Sequence, residues 1–122
     1  YIVLNSDRYV SSVSRVTHTK PLDISNIDLI ISHCLAGQYM GNKFLYLEMG
    51  SGAKNHICSN LLKTISEHVK IPIIIGGGID QNTDIQSLVH SGAGYIVIGT
   101  LIEKEVTPNI LNNIVNQAHY LK

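Results

Sequence analysis

The sequence is poor in several residue types and patterns that mark particular classes of protein. It has no tryptophan, one phenylalanine and only two cysteines, Cys34 and Cys58, among 122 residues. Two cysteines without a Cys-x-x-Cys pair argue against a disulfide framework, and a reduced thiol at Cys34 fits the cytoplasm best. No apolar run approaches the roughly 18 residues that span a bilayer, so we expect no transmembrane segment.

An excess of charge of either sign is missing too. Nine basic residues balance nine acidic ones, which leaves a formal net charge of zero with histidine neutral. A surface without excess positive charge gives nucleic acid no electrostatic attraction, so we expect no nucleic-acid partner. The six histidines stand singly and none belongs to a His-Glu-x-x-His pattern, so no zinc site is expected.

The sequence does contain enough apolar material for a folded core. Hydrophobic residues make up 44% of the chain and charged residues 15%, which argues against disorder. A length of 122 residues corresponds to one domain or less. Because the first residue is tyrosine and not methionine, we interpret residues 1–122 as a single partial domain, either a piece of a longer protein or a truncated product.

Apolar runs and helical patterns alternate along the chain. Four short runs rich in β-branched residues predict strands at Tyr1–Leu4, Phe44–Glu48, Ile71–Ile75 and Gly94–Ile98. Apolar residues at helical spacing predict helices at Ser25–Tyr39, Ser59–Val69, Asn82–His90 and Thr107–Leu121. The polar stretch 7–21 is predicted to be a loop or a short hairpin.

About four strand–helix units in succession predict an α/β fold with a parallel sheet and right-handed crossovers. Two closures remain open at this point, an open doubly wound sheet and part of a (βα)8 barrel. A full barrel needs about 250 residues, so this chain would form half of one. Its two edge strands would then be Tyr1–Leu4 and Gly94–Ile98.

Glycine-bearing segments follow three of the predicted strands. They are Gly50-Ser51-Gly52, Gly76-Gly77-Gly78 and Gly99-Thr100. The carboxyl ends of parallel strands are where α/β folds place ligands, and glycine lets backbone N–H groups approach an anion. We therefore predict a phosphate site there, although a lone triple glycine also suits a tight turn. The sequence has neither the P-loop pattern nor the dinucleotide fingerprint.

Glu48 ends an apolar strand directly before one of these glycine loops. A carboxylate at that place can accept a hydrogen bond from a substrate hydroxyl or take its proton. The alternative is a strand-end carboxylate that pairs with a neighbouring base or caps the loop. Tyr46 lies two residues earlier and hence on the same strand face, whereas Leu47 faces the helices. Asp80 is interpreted as the cap of the next helix.

These motifs together resemble a known family. The segment YLEMGSGA at 46–53 resembles the YLEAGSGA signature of the geranylgeranylglyceryl phosphate synthase family, in its archaeal-type branch, which also occurs in some bacteria. The segments TKP, LAGQYMG, GGGI and GT at 19–21, 35–41, 76–79 and 99–100 are similar to the family as well. The resemblance covers essentially the whole chain but only the second half of the family, from the fifth barrel strand on.

The resemblance implies a fold, a reaction and a set of site residues. The fold is a (βα)8 TIM-type barrel, of which this chain is the carboxyl-terminal half. The reaction joins the C3 hydroxyl of sn-glycerol 1-phosphate to a polyprenyl diphosphate, typically geranylgeranyl diphosphate. It releases diphosphate and forms the first ether bond of an ether-lipid precursor. The residues implied to bind glycerol phosphate are Tyr46, Leu47, Glu48, Met49, Gly50, Ser51, Gly52, Gly77, Gly78, Gly99 and Thr100.

Within that set the implied roles differ. Glu48, assisted by Tyr46, would hold or deprotonate the attacking hydroxyl, and Gly77, Gly78, Gly99 and Thr100 would bind the phosphate. The reaction uses Mg²⁺, whose aspartate ligand belongs to the first half of the family, so no metal ligand is expected in this chain. Homo-oligomers are common in the family and are expected here.

The chain departs from the family pattern at three positions. Met49 replaces a small residue, Asp80 stands where a basic residue is frequent, and Gly94 stands where aspartate is usual. Two further interpretations therefore stay open. One is a non-catalytic half-barrel that binds phosphate or a partner. The other is a different phosphate-handling barrel, of the indole-glycerol or thiamin phosphate kind, which the YLE and GSG residues disfavour. Residues 1–122 alone are expected to be inactive.

Overall fold

The five strands of the structure form one parallel sheet. This computed structural model describes residues 1–5, 15–16, 18–104 and 106–119. The strands, in the order β2-β1-β3-β4-β5 across the sheet, are β1 (Ile2–Asn5), β2 (Leu22–Asp23), β3 (Leu45–Glu48), β4 (Ile73–Gly76) and β5 (Ala93–Val97). The helices are α1 (Ile27–Tyr39), α2 (Ser59–His68), α3 (Ile85–His90), α4 (Thr100–Glu103) and α5 (Pro108–His119). No helix in the described ranges is long and apolar enough to cross a membrane.

Strand β2 was not predicted, and it changes the edge of the sheet. It runs parallel to β1, with Leu22 opposite Leu4 and Asp23 opposite Asn5. It follows the predicted loop at 7–21, most of which lies outside the described residues. The expectation that Tyr1–Leu4 is an edge strand was therefore wrong, because β1 is paired on both sides. A two-residue strand is too short to produce a periodic pattern in a sequence.

One face of the sheet carries the hydrophobic core. Side chains at alternate positions of β3 and β4 point to this face, among them Leu47 and Ile75, which are fully buried. They pack with Ile30 of α1 and with Leu62 and Ile65 of α2 in one apolar cluster. A second cluster, made by Ile79, Ile85 and Ile114, joins α3 and α5 to the same side.

Among the described residues, no helix covers the opposite face of the sheet. This uncovered face presents Phe44, Tyr46 and Glu48 from the β3 segment and Tyr95 and Val97 from β5. Phe44 is 49% exposed and Tyr95 54%, and their rings meet edge to face at 5.8 Å. A doubly wound sheet has helices on both faces, whereas a barrel wall has them on one. The half-barrel prediction is therefore confirmed over the doubly wound alternative.

Gly94 has a structural role at the edge strand. Ile73 pairs with Ala93 and Ile74 pairs with Tyr95, so Gly94 is the extra residue of a β-bulge. The bulge returns Tyr95 and Val97 to the uncovered face. Gly94 therefore shapes the strand and leaves the other positions of β5 in register with β4.

The β4–α3 connection contains a turn that shortens the helix predicted at Asn82–His90. Asp80 Oδ1 accepts from the Asn82 N–H at 2.9 Å, and Thr83 Oγ1 accepts from the Asp80 N–H at 3.0 Å. The helix then starts at Ile85, with Asp84 as its cap accepting from the Ser87 N–H at 2.9 Å. The prediction that Asp80 caps this helix was wrong, because Asp80 is committed to the turn before it.

Candidate active site

Three loops at the carboxyl ends of β3, β4 and β5 enclose a cavity of about 350 Å³. The walls combine the strand ends with glycine-rich backbone and two lysines. The lining residues are Tyr46, Glu48, Ser51, Gly52, Ala53, Lys54, Gly77, Gly78, Ile79, Asp80, Val97, Ile98, Gly99, Thr100, Leu101 and Lys104. The predicted convergence of the three glycine segments at one end of the sheet is thus what the structure shows.

The structure brings most of the residues implied by the resemblance into this cavity and leaves three out. Leu47 is fully buried in the core against the helices, because strand residues alternate between faces and its neighbours at 46 and 48 point to the cavity. Met49 is 4% exposed and lies in the same core. Gly50 does not line the cavity, but its backbone N–H donates to Glu48 Oε1. The side chains of Leu47 and Met49 therefore cannot line this cavity.

Glu48 is the most enclosed polar side chain of the cavity wall. It is 8% exposed. Its Oε1 accepts from the Gly50 N–H at 2.6 Å, and its Oε2 accepts from the Tyr1 hydroxyl at 3.3 Å. The Tyr46 hydroxyl is a further hydrogen-bond partner of the carboxylate. An ionised carboxylate offers about four acceptor positions, so capacity for one more donor remains.

Tyr1 is a site residue that sequence reasoning missed. Its ring stacks on Tyr46 with centroids 4.8 Å apart and planes 11° from parallel. The contact arises because β1 pairs beside β3, with Val3 opposite Glu48. The two segments are more than 40 positions apart along the chain. No local pattern marks Tyr1, and only the order of strands in the sheet reveals it.

The two phenols hold their protons more strongly than free tyrosine. Burial raises the pKa of Tyr1 to about 12, and the charge of Glu48 and the hydrogen bond to it act in the same direction. Burial, then the charge of Glu48 and the hydrogen bond to it, and lastly Tyr1 raise the pKa of Tyr46 well above its ordinary value. Both phenols therefore remain donors to Glu48 throughout the neutral and mildly alkaline range.

We expect this arrangement to be visible in an alkaline titration. The folded pKa values of the two phenols lie above the unfolded value of 10.0. The protonated phenols therefore contribute to folding stability below pH 10, and this contribution is lost as pH rises through about 12. Part of the tyrosinate absorbance should appear only in that upper range, and the absence of tryptophan simplifies the measurement. Glu48→Gln should shift that part to lower pH. An unchanged titration in this variant would contradict the assigned contacts.

The triple glycine is explained first by packing. A methyl group on Gly76 would collide with the Tyr46 hydroxyl. A methyl group on Gly77, where φ is +87°, would lie 2.6 Å from the Gly50 nitrogen and 2.7 Å from Glu48 Oε1. Gly78, at φ +69°, would meet the Asn55 backbone. The lack of side chains at these three positions leaves the space that Tyr46, Glu48 and the β3–α2 loop occupy, whether or not an anion binds.

Gly99 differs from the triple glycine. A methyl group there would meet no atom within 4 Å, and its φ is −112°. No neighbouring atom requires glycine at this position, yet it lines the cavity beside Thr100. Open space next to an exposed backbone is what close approach of a ligand needs. Gly99 is accordingly the glycine whose substitution reports on a ligand and not on the fold.

Lys54 and Lys104 are cavity residues that the sequence analysis did not single out. Lys54 directly follows the predicted Gly-Ser-Gly-Ala turn, and Lys104 directly follows α4. Both lysines line the same cavity as Glu48 and Asp80. The signal available in the sequence was their closeness to two of the glycine segments.

The described residues contain no cluster of metal-ligating side chains. No group of three or more histidine, cysteine, aspartate or glutamate side chains is arranged to hold a metal within them. The two carboxylates of the cavity are already used, Glu48 by Gly50 and Tyr1 and Asp80 by its turn. A magnesium site needs free oxygen ligands.

The sequence of this chain is similar to a protein family and to several curated proteins. A protein-family model described as the PcrB family matches residues 1–118. The chain is 41% identical over 105 residues to a geranylgeranylglyceryl phosphate synthase of Flavobacterium johnsoniae, covering 86% of this chain and 43% of the relative. It is 38% identical over 112 residues to the enzyme of that name from Thermococcus sibiricus, covering 88% and 42%.

A solved structure matches this chain over nearly its whole length. The crystal structure of (S)-3-O-geranylgeranylglyceryl phosphate synthase from Thermoplasma acidophilum, in complex with sn-glycerol-1-phosphate, matches with a TM-score of 0.85 at 31% identity. The match covers 98% of this chain and 48% of that one. The chain thus spans about half the length of the curated relatives and of the solved structure that it matches.

Proposed function

The chain belongs to the PcrB family, and from this premise we propose that it forms the glycerol-phosphate-binding half of a prenyltransferase. The complete enzyme joins sn-glycerol 1-phosphate to a polyprenyl diphosphate, with geranylgeranyl diphosphate as the expected donor. The product is the first ether of an ether-lipid precursor. The proposal includes a cytoplasmic location and self-association, and no nucleic-acid partner.

One observation carries this proposal more than any other. The wall formed by Tyr46 and Glu48 and the open backbone at Gly99 and Thr100 line the same cavity. A phosphate monoester of a small alcohol has two features to recognise, an anionic group and hydroxyl groups. Backbone N–H groups and lysines suit the first, and a buried carboxylate with spare acceptor capacity suits the second. The cavity volume of about 350 Å³ accommodates such a small molecule.

The reaction assigns a distinct task to Glu48. The C3 hydroxyl oxygen forms a bond to C1 of the prenyl chain while the bond from C1 to the diphosphate oxygen breaks. The hydroxyl proton leaves in the same overall step, and Glu48 accepts the hydrogen bond from that hydroxyl and then its proton. Diphosphate departs with the electron pair of the broken bond. Within this chain the residues bind and orient glycerol phosphate and accept its hydroxyl proton.

A second candidate function has its own support. Glu48 is already engaged by Gly50, Tyr1 and Tyr46, which is the arrangement of a strand-end carboxylate that organises its loop. A half-barrel that binds phosphate without catalysis would need nothing more from Glu48. The two functions share the phosphate site and differ in whether Glu48 touches the ligand hydroxyl.

Gly99→Ala tests the phosphate site that both functions need. The methyl group enters the open space beside Thr100, so glycerol 1-phosphate should bind at least about tenfold more weakly, the loss of roughly one charge-assisted hydrogen bond. Isothermal titration calorimetry on the 122-residue chain measures this. The matched control is Gly94→Ala on β5, where the nearest atom to the new methyl is 3.4 Å away. Equal affinities for both variants and the native chain would place the phosphate elsewhere.

A further inference from the structure

We propose that Asp80 is a specificity-determining residue, whose fixed negative charge makes the cavity prefer a phosphate monoester over diphosphate. This inference rests on the proposed function, because it concerns the anion selectivity of the same cavity. The proposed reaction handles both kinds of anion, since it uses a phosphate ester and a prenyl diphosphate and releases diphosphate. A cavity that held diphosphate as readily as glycerol 1-phosphate would be blocked by the head group of the other substrate and by the product.

The size and the backbone of the cavity do not separate the two anions. A volume of about 350 Å³ accommodates glycerol 1-phosphate, and inorganic diphosphate is a molecule of similar size. An exposed backbone N–H donates to any phosphate oxygen, whichever anion carries it. Lys54 and Lys104 line the cavity, and by themselves they would favour the anion of higher charge. Selection of the monoester therefore needs a negative charge in the same wall.

Asp80 supplies that charge beside the backbone proposed to bind phosphate. It lies two residues after Gly78 in the same loop, and it lines the cavity together with Gly99 and Thr100. Among the described residues of the wall, two lysines and two carboxylates carry charge, so their formal charges cancel. A balanced wall gives a more highly charged anion no extra attraction, while the larger cost of removing that anion from water remains. Diphosphate is therefore disfavoured.

The carboxylate of Asp80 is held in place by its own turn. Its Oδ1 accepts from the Asn82 N–H at 2.9 Å and from the Thr83 hydroxyl at 3.2 Å. The oxygen of the buried Thr83 hydroxyl also accepts from the Asp80 N–H at 3.0 Å. These contacts keep the side chain from turning away when an anion enters, so the negative charge is a constant property of the wall.

The experiment compares two anions on the 122-residue chain. Isothermal titration calorimetry at low ionic strength and without Mg²⁺ gives the Kd of glycerol 1-phosphate and of inorganic diphosphate. Asp80→Asn retains an oxygen acceptor for the turn and removes only the charge. It should tighten diphosphate by about tenfold and glycerol 1-phosphate by about fourfold, because the repulsion scales with the charge of the anion. Both gains should largely disappear at about 1 M salt, where screening acts within about 3 Å.

Two matched variants separate the charge from the turn. Asp84→Asn removes the same charge from the cap of α3, which lies outside the cavity wall, and should leave both affinities unchanged. Asp80→Glu keeps the charge on a longer side chain and should keep the native preference for glycerol 1-phosphate. The thermal midpoint of each variant reports whether the fold is retained.

Each outcome has a defined meaning. Equal tightening of both anions in Asp80→Asn, or no tightening of either, would overturn the selective role of Asp80. The same effect in Asp84→Asn would overturn it too, because the overall charge of the chain would then explain the result. A native chain that binds diphosphate as tightly as glycerol 1-phosphate would overturn it without any variant. Failure of the native chain to bind glycerol 1-phosphate would instead contradict the proposed function, so the two failures are distinguishable.

Discussion

Glu48→Gln is expected to lower turnover of the complete enzyme by about 10²- to 10⁴-fold, the usual contribution of a positioned acid–base group. The glutamine amide oxygen can still accept from the Gly50 N–H. The Tyr1 and Tyr46 hydroxyls can rotate to accept from the amide NH₂, because a hydroxyl is both donor and acceptor. The fold should therefore persist while the proton acceptor is lost.

The measurement needs a catalyst that contains both halves of the barrel. A fusion of the amino-terminal half of the Flavobacterium johnsoniae relative to this chain provides one, assayed with glycerol 1-phosphate, geranylgeranyl diphosphate and Mg²⁺. Glu67→Gln, an exposed substitution on α2, is the matched control and should retain native turnover. Turnover of Glu48→Gln within about twofold of native at saturating glycerol 1-phosphate would make Glu48 a structural carboxylate and favour the non-catalytic half-barrel.

The second large effect is the loss of activity in residues 1–122 by themselves. We expect no detectable prenyl transfer from this chain, because the resemblance places the Mg²⁺ aspartate in the other half and the described residues contain no group of three or more metal-ligating side chains. The uncovered face, with Tyr95 and Val97 exposed on the edge strand β5, should also favour association. A chain of this size buries only about two-thirds of its unfolded surface, which leaves little margin for an open wall.

Two measurements check this expectation. Sedimentation or light scattering gives the mass of the chain in solution, where we expect dimers or larger species. The prenyl-transfer assay, run beside the fusion protein, gives the activity. A stable monomer that turns over would contradict both the half-barrel interpretation and the assignment of the metal site to residues outside this chain.

The sequence predicted the alternation of strands and helices because each βα unit has its own local pattern. Runs such as 71–75 are apolar throughout. In a barrel, one face of such a strand packs against the helices and the other faces the barrel interior, so both faces are buried. Strand β2 and the short helix α4 were missed because two and four residues produce no period. The choice between an open sheet and a half-barrel needed the structure, since it depends on which face the helices cover.

The candidate site was predicted in part for a similar reason. Glu48, Gly77 and Gly99 each follow a strand, and parallel strands bring their ends together. Tyr1 and Lys104 joined the site only through the order of strands and the path of the chain after β5. Alternation along β3 already placed Leu47 on the helix side, and the resemblance alone suggested otherwise.

The contact between Gly76 and Tyr46 couples two positions of the sequence. A methyl group at position 76 would overlap the Tyr46 hydroxyl, so that hydroxyl must move or be absent before any side chain fits. The same methyl group would lie 3.2 Å from Glu48 Oε2, so a substitution at 76 is expected to disturb both side chains. A larger residue at 76 should therefore be tolerated better together with a smaller residue at 46 than alone.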